Sequence, residues 1–258
     1  MSTEEKKIRQ LPPLPDRESF FASLRRSFDE AGLGELLTQE AEERFYILLG
    51  YMLDEGSRLN VTAIRSLDEI IAKHFTDSAA VAPYLPQGCA VCDVGTGGGF
   101  PALPLAIVRP DLRITALDST AKKIAYVAEG ADRLGLDGFR AVSGRAEELG
   151  GEGGELREGF DTVVSRAVAS LPVLCELCLP LVRVGGSFIA MKGPSGREEL
   201  AASGSAIEKL GGAFSAEHET IIRLGEEHLC HPLFVIEKCG HTPTQYPRQF
   251  SKIAKKPL

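Results

Sequence analysis

The residues best placed to do chemistry in this chain lie in one run, Asp93-Val-Gly-Thr-Gly-Gly-Gly-Phe100. Glycines between an apolar strand-like segment and a helix-compatible one let the backbone approach a ligand closely. A dinucleotide fingerprint needs glycines at the first, third and sixth loop positions. Gly95 and Gly97 fit, but Phe100 takes the sixth place, which disfavours a pyrophosphate and with it a nicotinamide oxidoreductase. Asp93 adds negative charge that suits a cationic ligand. A second strand-like run, RITALD, ends at Asp118, about 20 residues on, where an acid accepts from ribose hydroxyls. A third, FRAVS, leads into Gly144-Arg145-Ala146-Glu147, where an adenine amine and ring edge would rest. S-adenosylmethionine, with its sulfonium, ammonium and ribose diol, matches these features together. After the fourth run stands Ser165-Arg166-Ala167-Val168 instead of the Asn/Asp-Pro-Pro-aromatic element common in exocyclic amine methylation. Neither Cys175 nor Cys178, in a helix-like run, falls at a strand end to act as nucleophile for pyrimidine carbon-5. Arg166 does fall there, suited to a phosphate or base carbonyl, or to a structural ion pair.

The elements that would position these groups follow from periodicity. Phe20, Leu24, Phe28 and Ala31 recur at helical spacing with Gly32 as a stop. A second helix is expected over 38–58 with Phe45, Leu48, Leu49 and Met52 inward. Ser66 and Glu69 form a capping box that opens a third. From Pro86 the texture changes to CAVCDV, RITALD, FRAVS, FDTVVSR and SFIAMK alternating with helical stretches, which implies βαβ units and a parallel sheet. Runs near HETIIRL and LFVIEK are expected to close it as an antiparallel pair, and Gly150–Gly159 reads as a surface loop. The expected architecture is α/β, a Rossmann-like methyltransferase fold with helices on both faces of a mostly parallel sheet and an N-terminal helical cap. The expected divisions are an arm over 1–18, the cap over 19–85, the Rossmann-like domain over 86–241 and a basic tail over 242–258.

A chain of 258 residues with 43% apolar and 25% charged residues is long enough for one sizeable soluble domain. The polar, Pro-rich N-terminus lacks the apolar core of a signal peptide, and no run of about 18 apolar residues occurs. The expectation is a cytoplasmic protein with no membrane contact. Net charge is −7, yet the tail carries Arg248, Lys252, Lys255 and Lys256 and no acid from Tyr246 onward. Such a tail is either a solvated end or an arm that grips phosphates. Two CxxC pairs, Cys89/Cys92 and Cys175/Cys178, fall on a strand and on an apolar helix face. The thin cluster His228, Cys230, His231, Cys239 and His241 fits no zinc spacing. No metal is expected.

NVTAIRSLDEIIAKHFTDSAAVAPYL, DVGTGGGFPALPLAIVRPDLRITALDS, SGRAEE, FDTVVSRAVASL, MKG and the terminal AKKPL together resemble the RsmG (formerly GidB) family, from about residue 40 to the end. That resemblance implies a 16S ribosomal RNA methyltransferase of the small subunit that uses S-adenosylmethionine and acts on a guanine N7. It places Gly95, Phe100, Ala146, Glu147 and Arg166 in the cofactor site, beside Gly97 of the same glycine loop, with Asp118, Ser119 and Thr120 at the ribose end. Asn60, His74 and Asp77 match its substrate-side signature, and Phe100 is the nearest loop aromatic for stacking on an unpaired base. The chain departs from the family pattern at Val61, where leucine is usual, and at Phe250-Ser-Lys-Ile253, where Lys-Pro-Gly-Thr-Pro is usual. The implied protein is a monomer whose partner is the small ribosomal subunit. A small-molecule methyltransferase and a non-catalytic nucleic-acid-binding module are the alternatives.

Overall fold

A computed structural model describes residues 12–55 and 66–258. Helix α1, Arg17–Glu30, is capped by the Asp16 carboxylate, which accepts from the Ser19 amide, and buries Phe20, Leu24 and Phe28. Gly32, at φ +72°, turns the chain out of it. Helix α2, Gln39–Asp54, is capped by Thr38. Its described part stops at Asp54, and the expected end at Arg58 lies outside the described residues. Ser66 caps the third helix as expected, its hydroxyl accepting from the Glu69 amide.

This third helix, α3, is not uniform. Leu67–Glu69 and Asp77–Ala79 are α-helical, whereas Ile70–Thr76 is a π-helical stretch. Such wide turns are rare and concentrate at functional sites. The stretch is fixed by Phe75, fully buried and packed against Phe45 at 5.0 Å and edge-on to Phe20 at 6.5 Å. Burying each such ring stabilises the fold by about 1.5–3 kcal/mol. The aromatic cluster thus anchors the helix turn that carries His74.

The sheet has the order β3-β2-β1-β4-β5-β7-β6. Strands β1 (Ala90–Val94), β2 (Arg113–Asp118), β3 (Phe139–Ser143), β4 (Phe160–Arg166) and β5 (Val182–Met191) are parallel. β6 (Gly212–Leu224) and β7 (Glu227–Lys238) close it antiparallel, as expected from their runs. β5 begins earlier than SFIAMK suggested, because Gly185 and Gly186 lie within the strand.

Alternate residues of each strand serve two cores. One face packs Val91, Ile114 and Val164 against α1 to α3, α4 (Ala102–Val108) and α5 (Ala121–Leu134). Tyr51 of α2 stacks on Tyr126 of α5 at 4.5 Å and donates its hydroxyl to the Tyr126 carbonyl, so the N-terminal helices share one core with the sheet. The other face packs Cys92, Val163 and Phe188 against α6 (Ala146–Leu149), α7 (Leu171–Cys178), α8 (Gly196–Ala201), α9 (Gly204–Lys209) and α10 (Phe250–Lys255). Among the described residues, no helix is long and apolar enough to cross a membrane.

The loop at 150–159 corrects the expectation of a surface connection and nothing more. Leu156 is buried. The Arg157 guanidinium donates to the carbonyls of Gly150, Thr242 and Tyr246, while Glu158 accepts from the Thr242 amide and pairs with His241 and Lys238. The loop is the bracket that holds the start of the C-terminal segment to the sheet.

Candidate functional site

In an open α/β sheet the ligand crevice lies outside the carboxyl ends of the strands, where strand order reverses. Here that point is between β1 and β4, and a cleft of about 550 Å³ opens there. Gly95, Gly97, Phe100, Asp118, Ser119, Thr120, Ala146, Glu147 and Arg166 all line it, joined by His74. Gly95 at φ +77° and Gly97 at φ +58° hold conformations that side chains disfavour. A Cβ on Gly97 would have only the Gly95 carbonyl as neighbour, 3.9 Å away, so the bare backbone shapes the cleft floor.

Two carboxylates organise this loop in different ways. Asp118 accepts from the Gly97 amide at 3.0 Å through one oxygen and from the Thr120 amide at 2.8 Å through the other. It therefore ties the glycine loop to β2. A carboxylate has about four acceptor sites, so capacity for a ribose diol remains. Asp93 is fully buried beneath the loop, accepts from the Ala102 amide at the start of α4, and does not line the cleft. Burial pushes its carboxyl up to about 6. Its expected role as ligand counter-charge becomes a field from below, with no contact.

The far wall contains a residue the sequence did not suggest. Phe250, from the first turn of α10, lines the cleft beside Arg145, Ala146 and Glu147. The Arg145 guanidinium lies 5.6 Å over its ring and also pairs with Glu147. Lys123, on the first turn of α5, is a second cation on the rim. No local motif could have announced Phe250, more than 100 residues from Glu147 in the chain.

On the β4–β5 side a second cavity of about 360 Å³ shares His74, Arg166 and Ala167 with the first, and adds Lys73, Asp77, Met191, Lys192, Leu229 and His231. The Arg166 guanidinium donates to the Asp77 carboxylate at 2.8 Å and to the Lys73 carbonyl, and lies 3.4 Å from His74 Nδ1. His231 Nδ1 meets the other Asp77 oxygen at 2.6 Å. β7 pairs Leu233 with Met191 at the end of β5, so His231 projects just past that end. The partition between the cavities rests on Ala167, held at φ +55°, a conformation rare outside glycine and concentrated at functional positions.

These contacts set protonation. Burial, with Arg166 beside it, pushes the His74 imidazole down to about 3. With Nδ1 facing an arginine N–H, the neutral ring carries its proton on Nε2. Although burial opposes it, the pairing with His231 and Arg166 holds the Asp77 carboxyl below the usual range, and Asp77 in turn raises His231. Arg166 therefore belongs to an internal ion-pair network while facing both cavities. One face of Phe100 is covered by His74, stacked at 4.5 Å, and the residue is 5% exposed, so its expected stacking on a base is corrected to packing against His74. Asn60 lies outside the described residues.

The basic tail divides. Arg248 is turned inward: its guanidinium and backbone amide donate to Glu176, a fully buried carboxylate on α7. It anchors the tail, a correction to its expected place among phosphate-gripping cations. Lys252, Lys255 and Lys256 are exposed. Cys89, Cys92, Cys175 and Cys178 are buried, while Cys230 and Cys239 are exposed. Among the described residues no group of three or more His, Cys, Asp or Glu is arranged to hold a metal ion.

The model of the family described as GidB, rRNA small subunit methyltransferase G, matches residues 41–229. The "Ribosomal RNA small subunit methyltransferase G" of Deinococcus radiodurans is 44% identical over 237 residues, spanning 91% of this chain and 91% of that protein. The protein of the same name from Clostridium beijerinckii is 40% identical over 241 residues, 93% of this chain and 99% of its own. Among solved structures, a chain in a complex containing the Haloferax volcanii Trm112 methyltransferase activator matches with a TM-score of 0.51 and 15% identity, over 66% of this chain and 92% of that one. That likeness speaks for the fold alone.

Proposed function

The chain belongs to the rRNA small subunit methyltransferase G family, and from that premise we propose that it transfers a methyl group from S-adenosylmethionine to N7 of a guanine in 16S ribosomal RNA. The single observation that carries this reading is the pair of adjoining cavities separated by His74, Arg166 and Ala167. One has the glycine floor and ribose-end acid of a nucleoside cofactor site, and the other, at the ends of β4 and β5, sets Lys73, Asp77, Lys192 and His231 against an apolar wall of Met191 and Leu229. Both are lined by one chain, so a monomer suffices, and a cytoplasmic enzyme acting on ribosomal subunits is the setting this implies.

The residues present fit the cofactor. The side-chain-free floor at Gly97 admits close approach, Asp118 retains acceptor capacity at the ribose end, and Asp93 below supplies negative field. When bound, S-adenosylmethionine supplies an electrophilic methyl on a sulfonium. N7 of guanine has an in-plane lone pair and no proton at neutral pH, so no general base is needed. That agrees with His74, whose depressed basicity makes it a poor proton acceptor near neutrality. The chain's task is to bring the two reactants into line. Arg166 cannot clamp O6 and N7 together, the familiar arginine–guanine geometry, without blocking the acceptor. Its ties to Asp77 and Lys73 suit it to O6 alone, to a phosphate or to the cofactor. Lys252, Lys255 and Lys256, exposed on and just after α10, would grip phosphates without reading sequence.

The test is incubation with labelled cofactor and small ribosomal subunits lacking the modification, followed by mapping of the methylated nucleotide. A single 7-methylguanine in 16S RNA is expected. Label on an exocyclic amine, on a hydroxyl or on small molecules alone would reject the reading.

A further inference from the structure

The C-terminal segment is anchored at three points, and Phe250 lies between two of them. Upstream, Arg248 makes three hydrogen bonds to Glu176, whose side chain is fully buried. Downstream, Ile253 is fully buried in the core beneath α7. Further back, Arg157 binds the carbonyls of Thr242 and Tyr246. A helix forms here because Phe250–Lys255 contains neither proline nor glycine, and its one buried residue, Ile253, docks it. Phe250 is therefore held on a rigid frame, yet the residue is 39% exposed and lines the cleft beside Ala146 and Glu147. The fixed, half-covered aromatic has a guanidinium on its flank, and a flat heterocycle would complete its covering.

From this we infer that Phe250 is a cofactor-binding residue of this chain, packing its ring against the adenine of S-adenosylmethionine, with Arg145 holding that ring in place. The inference rests on the cofactor reading above. The frame is pre-organised, so little ordering cost falls on binding. The α10 segment then has two jobs, closing the adenine end of the cleft and presenting lysines to solvent.

The test uses full-length protein and calorimetry with S-adenosylmethionine and with 5′-methylthioadenosine, which keeps the adenosine half and lacks the amino-acid half. Phe250→Ala leaves Arg248 and Ile253 in place, so the tail stays docked. It should weaken both ligands about five- to tenfold, the lower end of what aromatic stacking on a base contributes. The chain contains no tryptophan, so Phe250→Trp supplies a single fluorophore at the site. It should bind with near wild-type affinity, and its emission should change on saturation with the calorimetric midpoint. Unchanged affinity in Phe250→Ala overturns the inference. So does a loss confined to S-adenosylmethionine, which would put the ring at the methionine end. Tryptophan emission that stays constant while calorimetry records saturation also overturns it. If the wild type itself fails to bind either ligand, the cofactor reading falls and this inference with it.

Discussion

The two halves of the crevice are built on opposite plans. On the β1–β2–β3 side each functional group sits at a strand end within a few residues of the loop it serves, and the ties are backbone amides to a carboxylate: Gly97 and Thr120 onto Asp118. On the β4–β5–β7 side the groups come from α3, β4 and β7. They are tied by side chains, Arg166 to Asp77 and Asp77 to His231, across 89 and 154 residues of sequence. The first half recognises by leaving side chains out. The second positions by balancing charge, with one buried carboxylate facing a guanidinium and an imidazole. A half built of backbone tolerates change in charge and fails on added volume. A half built of ion pairs does the reverse.

The sharpest break in that comparison is a volume change on the glycine side. Gly97→Val adds a β-branched side chain at φ +58° that points toward the cleft. A steric loss of about 3 kcal/mol, roughly a hundredfold, is the least expected. Calorimetry should find S-adenosylmethionine binding at or below detection, while circular dichroism stays native-like and unfolding stays cooperative, with a stability loss of about 1–2 kcal/mol for the left-handed backbone. The same change at Gly95 should cost more, because it shares that strain and its Cβ would also meet Val168 Cγ2 at 2.4 Å. Val168 follows β4, so Gly95→Val should disturb both halves and lower stability further. Undiminished cofactor affinity in Gly97→Val would show that the loop is not the cofactor floor.

The next largest effect is a charge change on the ion-pair side. Asp77→Ala removes the counter-charge of Arg166, both groups being nearly buried at 8% and 15% side-chain exposure. Breaking a buried pair from one side costs about 3–5 kcal/mol, which urea unfolding would read. Asp77→Asn keeps the acceptor and should lose less. A loss within about 0.5 kcal/mol for Asp77→Ala, the range of an ordinary surface change, would mean that the network does not hold this half together.

The same contrast explains what could be read from the amino-acid sequence. β2, β3 and β4 match their apolar runs, and Gly95, Gly97, Asp118 and the stretch 144–147, which line the cleft, were identifiable because strand, loop and acid recur within short spans. His74 and Asp77 could be named only through family resemblance, since nothing near them in sequence shows that Arg166 will arrive from β4. In the sequence His231 is one member of a thin His/Cys cluster that fits no zinc spacing. Its partnership with Asp77 depends on β7 running antiparallel past the end of β5, which no local pattern encodes. Arg248 was read by its charge alone, and only the fold reveals Glu176 waiting for it. Phe250 carried no signal except the departure of its segment from the family's tail.

The smallest expected effect is on the pH dependence of the chemical step, and it is informative because it is small. His74 is pushed down to about 3 and so stays neutral from pH 7 to 9, Asp77 is held ionised, and Asp93, pushed up to about 6, takes its proton only below that range. With no proton to remove from N7, single-turnover methyl transfer at saturating RNA should be nearly flat from pH 7 to 9 and fall below it as the field of Asp93 is lost. His231 is the exception among the groups facing Asp77. Its raised basicity means that it keeps a proton above the ordinary imidazole range and loses it as pH climbs. The sign follows from linkage: the stability it contributes is full below its unfolded value near 6.5 and lost as pH rises through the folded one. Loss of that proton also removes one positive charge from a chamber that contains Arg166 and Lys73, so the RNA concentration for half-saturation should rise with pH. His231→Gln should abolish that dependence and leave the flat rate untouched. A steep profile in the rate itself, losing one limb in His74→Ala, would instead reveal a titrating base. The acceptor half would then be chemical machinery in its own right, with an exocyclic amine or hydroxyl as its target.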